Sequence, residues 1–335
     1  MASEQVQYDA DDEISCFFKK TSVDQAECDR LAKDFVGGDI TPVFRLRSLA
    51  LESKTSELAR DVYGNLAPEV SFKQQLGEAV DGKEPLLVYV MTRLKGMSHL
   101  DFILEDGFPK NSPENFARRQ TLMKDVARFI ALAWKSPQPI DPTQRNELHD
   151  TYQKELQQLL GALPPRFRNV VQHSLDMLPE IFRPPMVLLH KDFGDCNIFV
   201  DEACHLVGVV DWAEAEVGPF GTNLHSLQGL MSNLHLSKGW IRYEDYDALV
   251  ATFWETFSTE VGGLDAGDLW VIQAASVVGL LRSRGFTSRL ANMPEPQPIN
   301  DDASGRYNMM ILDGLLLNRA TRFEGLGLFE ADPSV

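Results

Sequence analysis

Cysteine is scarce in this 335-residue chain: only Cys16, Cys28, Cys196 and Cys204 occur, with no C-x-x-C pair. Such spacing offers no disulfide framework and fits a reducing compartment better than a secreted one. Basic residues are outnumbered, 32 Lys and Arg against 49 Asp and Glu, for a formal net charge of -17. That balance repels phosphate backbones and anionic membrane surfaces, so neither nucleic acid nor a membrane is an expected partner. No apolar run approaches the length of about 18 residues that would suggest a membrane span. The amino terminus, MASEQVQYDADDEISCFF, is acidic where a signal or transit peptide would be basic. A soluble, cytoplasmic protein is expected. Internal repeats, low-complexity tracts and long linkers are missing too, which leaves a folded chain of ordinary composition, 44% hydrophobic and 24% charged.

Several stretches carry secondary-structure signals. Ser22 and Gln25 stand at capping-box spacing ahead of Leu31, Phe35 and Val36, with Gly37-Gly38 as a stop, so a first helix is predicted there. TPVFRLRSLALES reads as a short strand running into a helix that ends near Gly64 and Pro68. The apolar run Leu86 to Met91 in PLLVYVMTRL predicts a strand buried on both faces. Ser112 as N-cap and Pro113 at the first helical position open a long amphipathic helix. Two more helices are predicted over TQRNELHDTYQKELQQLLGAL and PRFRNVVQHSLDMLPEIF. Short strands follow at PMVLLH, NIFVD and HLVGVVDW, arranged as small hairpins. Helices resume over Tyr246 to Val261 and Asp268 to Arg284, and MMILDGLLLNRATRF is helical or irregular. The expected organisation is an acidic, flexible stretch over 1–21, a small mixed lobe over 22–90, a connector over 91–98 and a mainly helical lobe over 99–335.

VLLHKDFGDCNIFVD holds the chemistry. His190, Asp192 and Asn197 fall in the loop between two predicted strands, and Asp211 ends the next strand, 14 positions after Asn197. Phosphoryl transfer needs a carboxylate beside the attacking hydroxyl, an amide oxygen for one magnesium ion, and a second carboxylate for metal bridging the phosphates. Magnesium takes few hard oxygen ligands and completes its shell with water and phosphate, so Asn197 and Asp211 suffice. Turn capping is the ordinary role of Asp192 and Asn197. For His190, participation in the chemistry and packing to shape the loop are both open. Asp211 fits a purely structural role least, as a charge directly after Leu206-Val207-Gly208-Val209-Val210. A zinc site on His190, Cys196, Cys204 and His205 is a distant alternative, since the spacing matches no finger pattern.

At these residues the sequence resembles the aminoglycoside phosphotransferase and choline kinase superfamily, most closely its fungal members, over roughly Asp24 to Phe323. HKDFGDCN is similar to the family's H-G-D-x-x-x-x-N loop, with Lys191 where glycine is usual, and VDW at Asp211-Trp212 is similar to its metal motif. Asn223 stands where an aspartate is common. The resemblance implies an α+β, protein-kinase-like bilobal fold with ATP in the cleft, a magnesium requirement and transfer to a hydroxyl of a small molecule. It also implies that Asp192 is the base, that the backbone of Tyr89, Val90 and Met91 meets adenine, and that Arg45 binds phosphate with Glu57 as its helix partner, Glu52 competing for that role. The letters Asp192-Phe193-Gly194 then only mimic the metal-binding D-F-G of protein kinases, because the metal acid is Asp211. No G-x-G-x-x-G occurs, and Gly37-Gly38 is followed within seven residues by FRLR. Weak ATP binding is expected on that ground, and a kinase-shaped binding or regulatory module is the competing expectation. Asp195, Glu214 and Glu216 near the motif predict an electronegative cleft favouring an amine-bearing acceptor.

Overall fold

A computed structural model describes residues 14–15, 17–36, 49–105, 110–287 and 296–323. Helix α1 (Gln25–Val36) begins where Asp24 Oδ1 accepts the Glu27 N–H at 2.8 Å. Asp24 is therefore the cap in place of Ser22, and its carboxylate satisfies an orphan amide at the positive end of the helix. Ser22 is occupied elsewhere, donating its backbone N–H to Glu84 O at 3.0 Å. Helix α2 (Leu49–Tyr63) stops at Gly64, whose φ of +59° suits glycine. The strand expected over Thr41 to Arg47 and the Gly37-Gly38 stop lie outside the described residues.

Strands β1 (Val70–Leu76) and β2 (Leu86–Met91) pair antiparallel from Val70↔Met91 to Leu76↔Leu86. No apolar pattern announces β1, because Ser71, Lys73, Gln74 and Gln75 interrupt it. The expected burial of β2 on both faces is not what the structure shows: Leu86 to Val90 are half-buried, and Met91 is 56% exposed. The two strands form a sheet of their own among the described residues, and a two-stranded sheet lacks the second layer that double burial requires.

Beyond the connector come β3 (Met97–Ser98), α3 (His99–Glu105), α4 (Pro113–Lys135), α5 (Pro142–Ala162) and α6 (Arg168–Asp176). Ser112 Oγ accepts the Asn115 N–H at 3.2 Å to open α4. Asp141 opens α5 through a complete capping box with Gln144. Strands β4 (Met186–Leu189), β5 (Ile198–Val200), β6 (Leu206–Val209) and β7 (Glu216–Pro219) follow. Their pairing departs from a row of neighbouring hairpins. β5 and β6 do pair, with β3 on the other side of β5, but β4 passes over both to pair with β7, from Met186↔Pro219 to Leu189↔Glu216. The chain after β4 must therefore cross from one small sheet to the other.

The remaining elements are α7 (Leu227–Met231), the hairpin β8 (Ser232–His235) and β9 (Gly239–Arg242), α8 (Tyr246–Val261), α9 (Ala266–Arg284) and α10 (Arg306–Leu312). Gly262 ends α8 in the left-handed region at φ +86°. One core joins α2, α4, the strands and α8 through residues such as Val126, Phe129, Val209, Leu249 and Phe257. A second joins α5, α6, α9 and α10 through Tyr152, Leu156, Val171, Val278 and Leu312. Among the described residues no single helix is long and apolar enough to cross a membrane.

The connector is pressed onto β5 and β6. A Cβ on Gly96 would lie 2.3 Å from Val200 O, and one on Gly208 would lie 2.6 Å from Leu94 Cδ1. Gly96 also adopts φ +127°, a backbone conformation that side-chain-bearing residues rarely take.

Candidate active site

Residues His190 to Asn197 span the crossing between the β4–β7 and β5–β6 sheets. The crossing tightens at its end, where the N–H groups of Asn197 and Ile198 both donate to Gly194 O, at 2.9 and 3.0 Å. Asn197 is buried and grips the start of the loop: its Nδ2 donates to Asp192 O at 2.8 Å and to Asp192 Oδ2 at 3.1 Å. Asp192 itself is exposed. Among the described residues its Oδ1 has no hydrogen bond or ion pair, so the loop presents one oriented carboxylate oxygen to the outside. With Nδ2 committed to Asp192, the Asn197 Oδ1 is directed away from that carboxylate.

The β5–β6 register brings the third oxygen donor to the same end. Ile198 pairs with Val209, and the Val210 N–H donates to Asn197 O at 3.0 Å. Asn197 enters and Asp211 leaves the pair at one edge. Asp211 takes φ +68°, in the left-handed region that aspartate tolerates better than most residues.

His190 is 1% exposed. Its Nε2 lies 2.8 Å from Val210 O, so that nitrogen carries the proton and donates, tying the loop to the residue before Asp211. Its ring meets Trp212 edge-on at 4.8 Å and Phe193 at 6.1 Å. Phe193, the middle letter of the kinase mimic, is buried and stacks on Phe129 at 5.7 Å. Phe129 stacks on Tyr63 at 4.3 Å, and Tyr63 leans on Trp212 at 4.8 Å while its hydroxyl donates to Leu188 O at 2.9 Å. Burial holds the Tyr63 phenol far above its ordinary pKa, so it acts only as a neutral donor. Each aromatic pair adds roughly 0.5–1.5 kcal/mol beyond its buried area, so the loop rests on a rigid floor. Sequence reasoning missed Tyr63 and Phe129. Both sit in helical apolar stripes indistinguishable from ordinary core positions.

The charges nearby are partly countered. Asp195 Oδ1 meets His99 Nδ1 at 2.8 Å, and its carbonyl accepts the Leu100 N–H at 3.0 Å, fastening β3 and α3 to the loop. Glu216 pairs with Lys191 at 3.2 Å and lies 3.8 Å from Arg282. The expected contribution of Glu216 to a negative cleft is thus largely neutralised. A negative field still surrounds the loop: the Cys196 thiol is raised by burial, then by Asp195, Asp192 and Asp101.

The other sequence-derived candidates lie on other elements. Tyr89 and Val90 are half-buried and Met91 is exposed on β2, whose partner among the described residues is β1 on one side only. Glu57 is exposed on α2, and Arg45 lies outside the described residues. Among the described residues no three His, Cys, Asp or Glu side chains gather where a metal ion could be held, so His190, Cys196, Cys204 and His205 do not form a zinc site. Asn197 and Asp211 offer a smaller donor set of hard oxygens, the kind that fits magnesium completed by water and phosphate.

A small antiparallel pair beside a larger helical unit, with an Asp, Asn and Asp gathered at strand ends, defines a protein-kinase-like α+β fold. Residues 37–236 match the phosphotransferase enzyme family known as APH, and the chain belongs to that family. Comparison with curated proteins gave no match. Among solved structures, a candidate aminoglycoside phosphotransferase from Ralstonia eutropha is 15% identical, with 86% of this chain and 96% of that chain covered and a TM-score of 0.52. A Plasmodium vivax ethanolamine kinase is 12% identical, with coverage of 93% and 96% and a TM-score of 0.47. An aminoglycoside phosphotransferase from Streptomyces rimosus is 14% identical, with coverage of 77% and 99% and a TM-score of 0.42. The likeness to the Ralstonia eutropha protein is one of fold alone, and the family assignment is what supports a small-molecule phosphotransferase.

Proposed function

We propose that the protein moves the terminal phosphoryl group of ATP to a hydroxyl of a small molecule in a magnesium-dependent reaction. The observation that supports this best is the Asn197 clamp on the exposed Asp192, at 2.8 and 3.1 Å, beside the strand end that carries Asp211. Asp192 Oδ1 accepts the proton of the acceptor hydroxyl as its oxygen bonds to phosphorus, while the bond from phosphorus to the bridging oxygen breaks and ADP leaves. Asn197 Oδ1 and the Asp211 carboxylate would hold magnesium, which when bound offsets the charge of the phosphates. His190 acts through position alone, its Nε2–H fixing the distance between loop and β6. The outer edge of β2 near Tyr89, Val90 and Met91 presents main-chain groups suited to a purine, and Arg45 would meet phosphate with Glu57 as its helix partner. Remaining negative charge at Asp192, Asp195 and Asp101 favours an acceptor bearing an amine.

Phosphoryl transfer from ATP to a panel of amino sugars and amino alcohols, with and without magnesium, tests this directly. Wild type should phosphorylate at least one acceptor, Asp192→Ala should lose at least about a hundredfold in rate, and Asp211→Ala should abolish the magnesium-dependent part of ATP binding in titration calorimetry. Equal silence of wild type and Asp192→Ala on every acceptor would leave a kinase-shaped binding module instead.

A further inference from the structure

Away from the Asp192 loop, a partly open cavity of about 300 Å³ lies among α7, α8 and α9. Its apolar wall includes Leu227, Met231, Val250, Phe253, Trp254 and Ile272, and none of Asp192, Asn197 or Asp211 reaches it. We propose that this cavity is a second binding site, for a small neutral molecule with a ring-sized apolar body and one hydroxyl or carbonyl oxygen.

Two side chains on its wall point to such a ligand. Gln228 is 6% exposed and Ser276 is 7% exposed, yet both line the cavity. Gln228 Oε1 accepts the Tyr246 hydroxyl at 3.1 Å, which leaves its Nε2 facing a different partner. Among the described residues, neither Gln228 Nε2 nor Ser276 Oγ has a hydrogen-bond partner. Both polar atoms are open to the cavity rather than sealed in the core, so a ligand seated there can bond them. Ser276 in particular sits within α9, where a serine hydroxyl ordinarily turns back to the carbonyl four residues earlier.

Water satisfies this space poorly. Most of this wall is apolar, so water lying against it gains few bonds from the protein and is readily displaced by an apolar ligand. An apolar pocket with a few convergent polar groups is the usual form of a small-molecule site, and this one is at the small end of that range. Charge argues for neutrality. Arg242 and Asp247 both stand on the wall, one of each sign. The Arg242 guanidinium lies 3.9 Å over the Tyr246 ring and donates to Arg322 O at 2.8 Å, so its charge is already engaged.

The probe is benzyl alcohol, with toluene as the isosteric ligand lacking oxygen and benzoate as the charged one. Binding to the full chain is read by saturation-transfer NMR and by the ligand-dependent rise in melting temperature. Ala251→Phe fills the cavity from an exposed position on α8, and Ser276→Ala removes one polar contact. Benzyl alcohol should bind wild type saturably and more tightly than either control. Ser276→Ala should weaken it about tenfold, the worth of one good hydrogen bond, and Ala251→Phe, still cooperatively folded, should not bind. Absence of saturable binding to wild type, or equal binding to wild type and Ala251→Phe, overturns the proposal. Binding seen only in a chain ended at Phe323, whose side chain lines the cavity, also overturns it and assigns the space to residues 324–335. None of these outcomes depends on phosphoryl transfer.

Discussion

Replacing Asn197 separates its two hydrogen bonds from its shape. Asn197→Ala deletes one bond to a neutral carbonyl and one to a carboxylate, at 2.8 and 3.1 Å. Such bonds contribute about 1 and about 1.5–3 kcal/mol, so the variant should lose roughly 2.5–4 kcal/mol of stability. Water does not replace them easily, because the Asn197 side chain is buried. Asn197→Asp keeps the shape but sets a second carboxylate 3.1 Å from Asp192 Oδ2. The added repulsion lies between about 1 kcal/mol at the dielectric of water and about 5 kcal/mol at an effective value near 20, and the exposure of Asp192 places it toward the lower end. Two carboxylates so close share a proton at a raised pKa, so the penalty is full at pH 7.5 and shrinks as pH falls toward 5. Urea unfolding of wild type and both variants at pH 5 and 7.5 reads these differences. The reasoning fails if Asn197→Ala stays within about 0.5 kcal/mol of wild type, the scatter of ordinary surface changes. It also fails if the deficit of Asn197→Asp is as large at pH 5 as at pH 7.5.

Two further outcomes follow from packing. His225 is buried, and desolvation lowers its pKa to about 4 from an ordinary 6.5. Below pH 6.5 the unfolded chain binds a proton that the folded chain refuses until about pH 4. Stability is therefore full above that window and falls by at most about 3 kcal/mol through it. His225→Asn keeps a donor toward Thr222 O and should flatten that part of the urea-midpoint profile; an unchanged slope would exclude His225 as its source. Gly96→Ala combines φ +127° with a Cβ 2.3 Å from Val200 O. It should cost at least about 2 kcal/mol in thermal unfolding, since a disfavoured backbone region alone costs about 1–3 kcal/mol. A melting temperature equal to wild type would show that the connector does not press on β5.

What could be read before folding was whatever neighbours in the chain decide. Ser112-Pro113 starts a helix because a cap needs only the amides of the next turn, while the Asp141 cap of the next helix went unread. The Asp192 and Asn197 pair was legible for the same reason, since only four loop residues separate the two. Misjudged elements were those with a distant competitor: Ser22 resembles a cap until Glu84 takes its N–H, and the apolar β2 looks doubly buried until its sheet turns out to be two strands wide.

Spacing along the chain thus set most of the helices, and the motif residues carried the resemblance that implied the fold class. Only the tertiary structure decided that β4 skips two strands to reach β7, so that the Asp192 loop spans two sheets. It alone placed His190 between Val210 and Trp212, and laid Phe193 on a floor of Phe129 and Tyr63. Local hydrogen bonds and periodicity act over a few residues, whereas strand partners and aromatic stacks are chosen by which surfaces exclude water together, across separations that no motif spans.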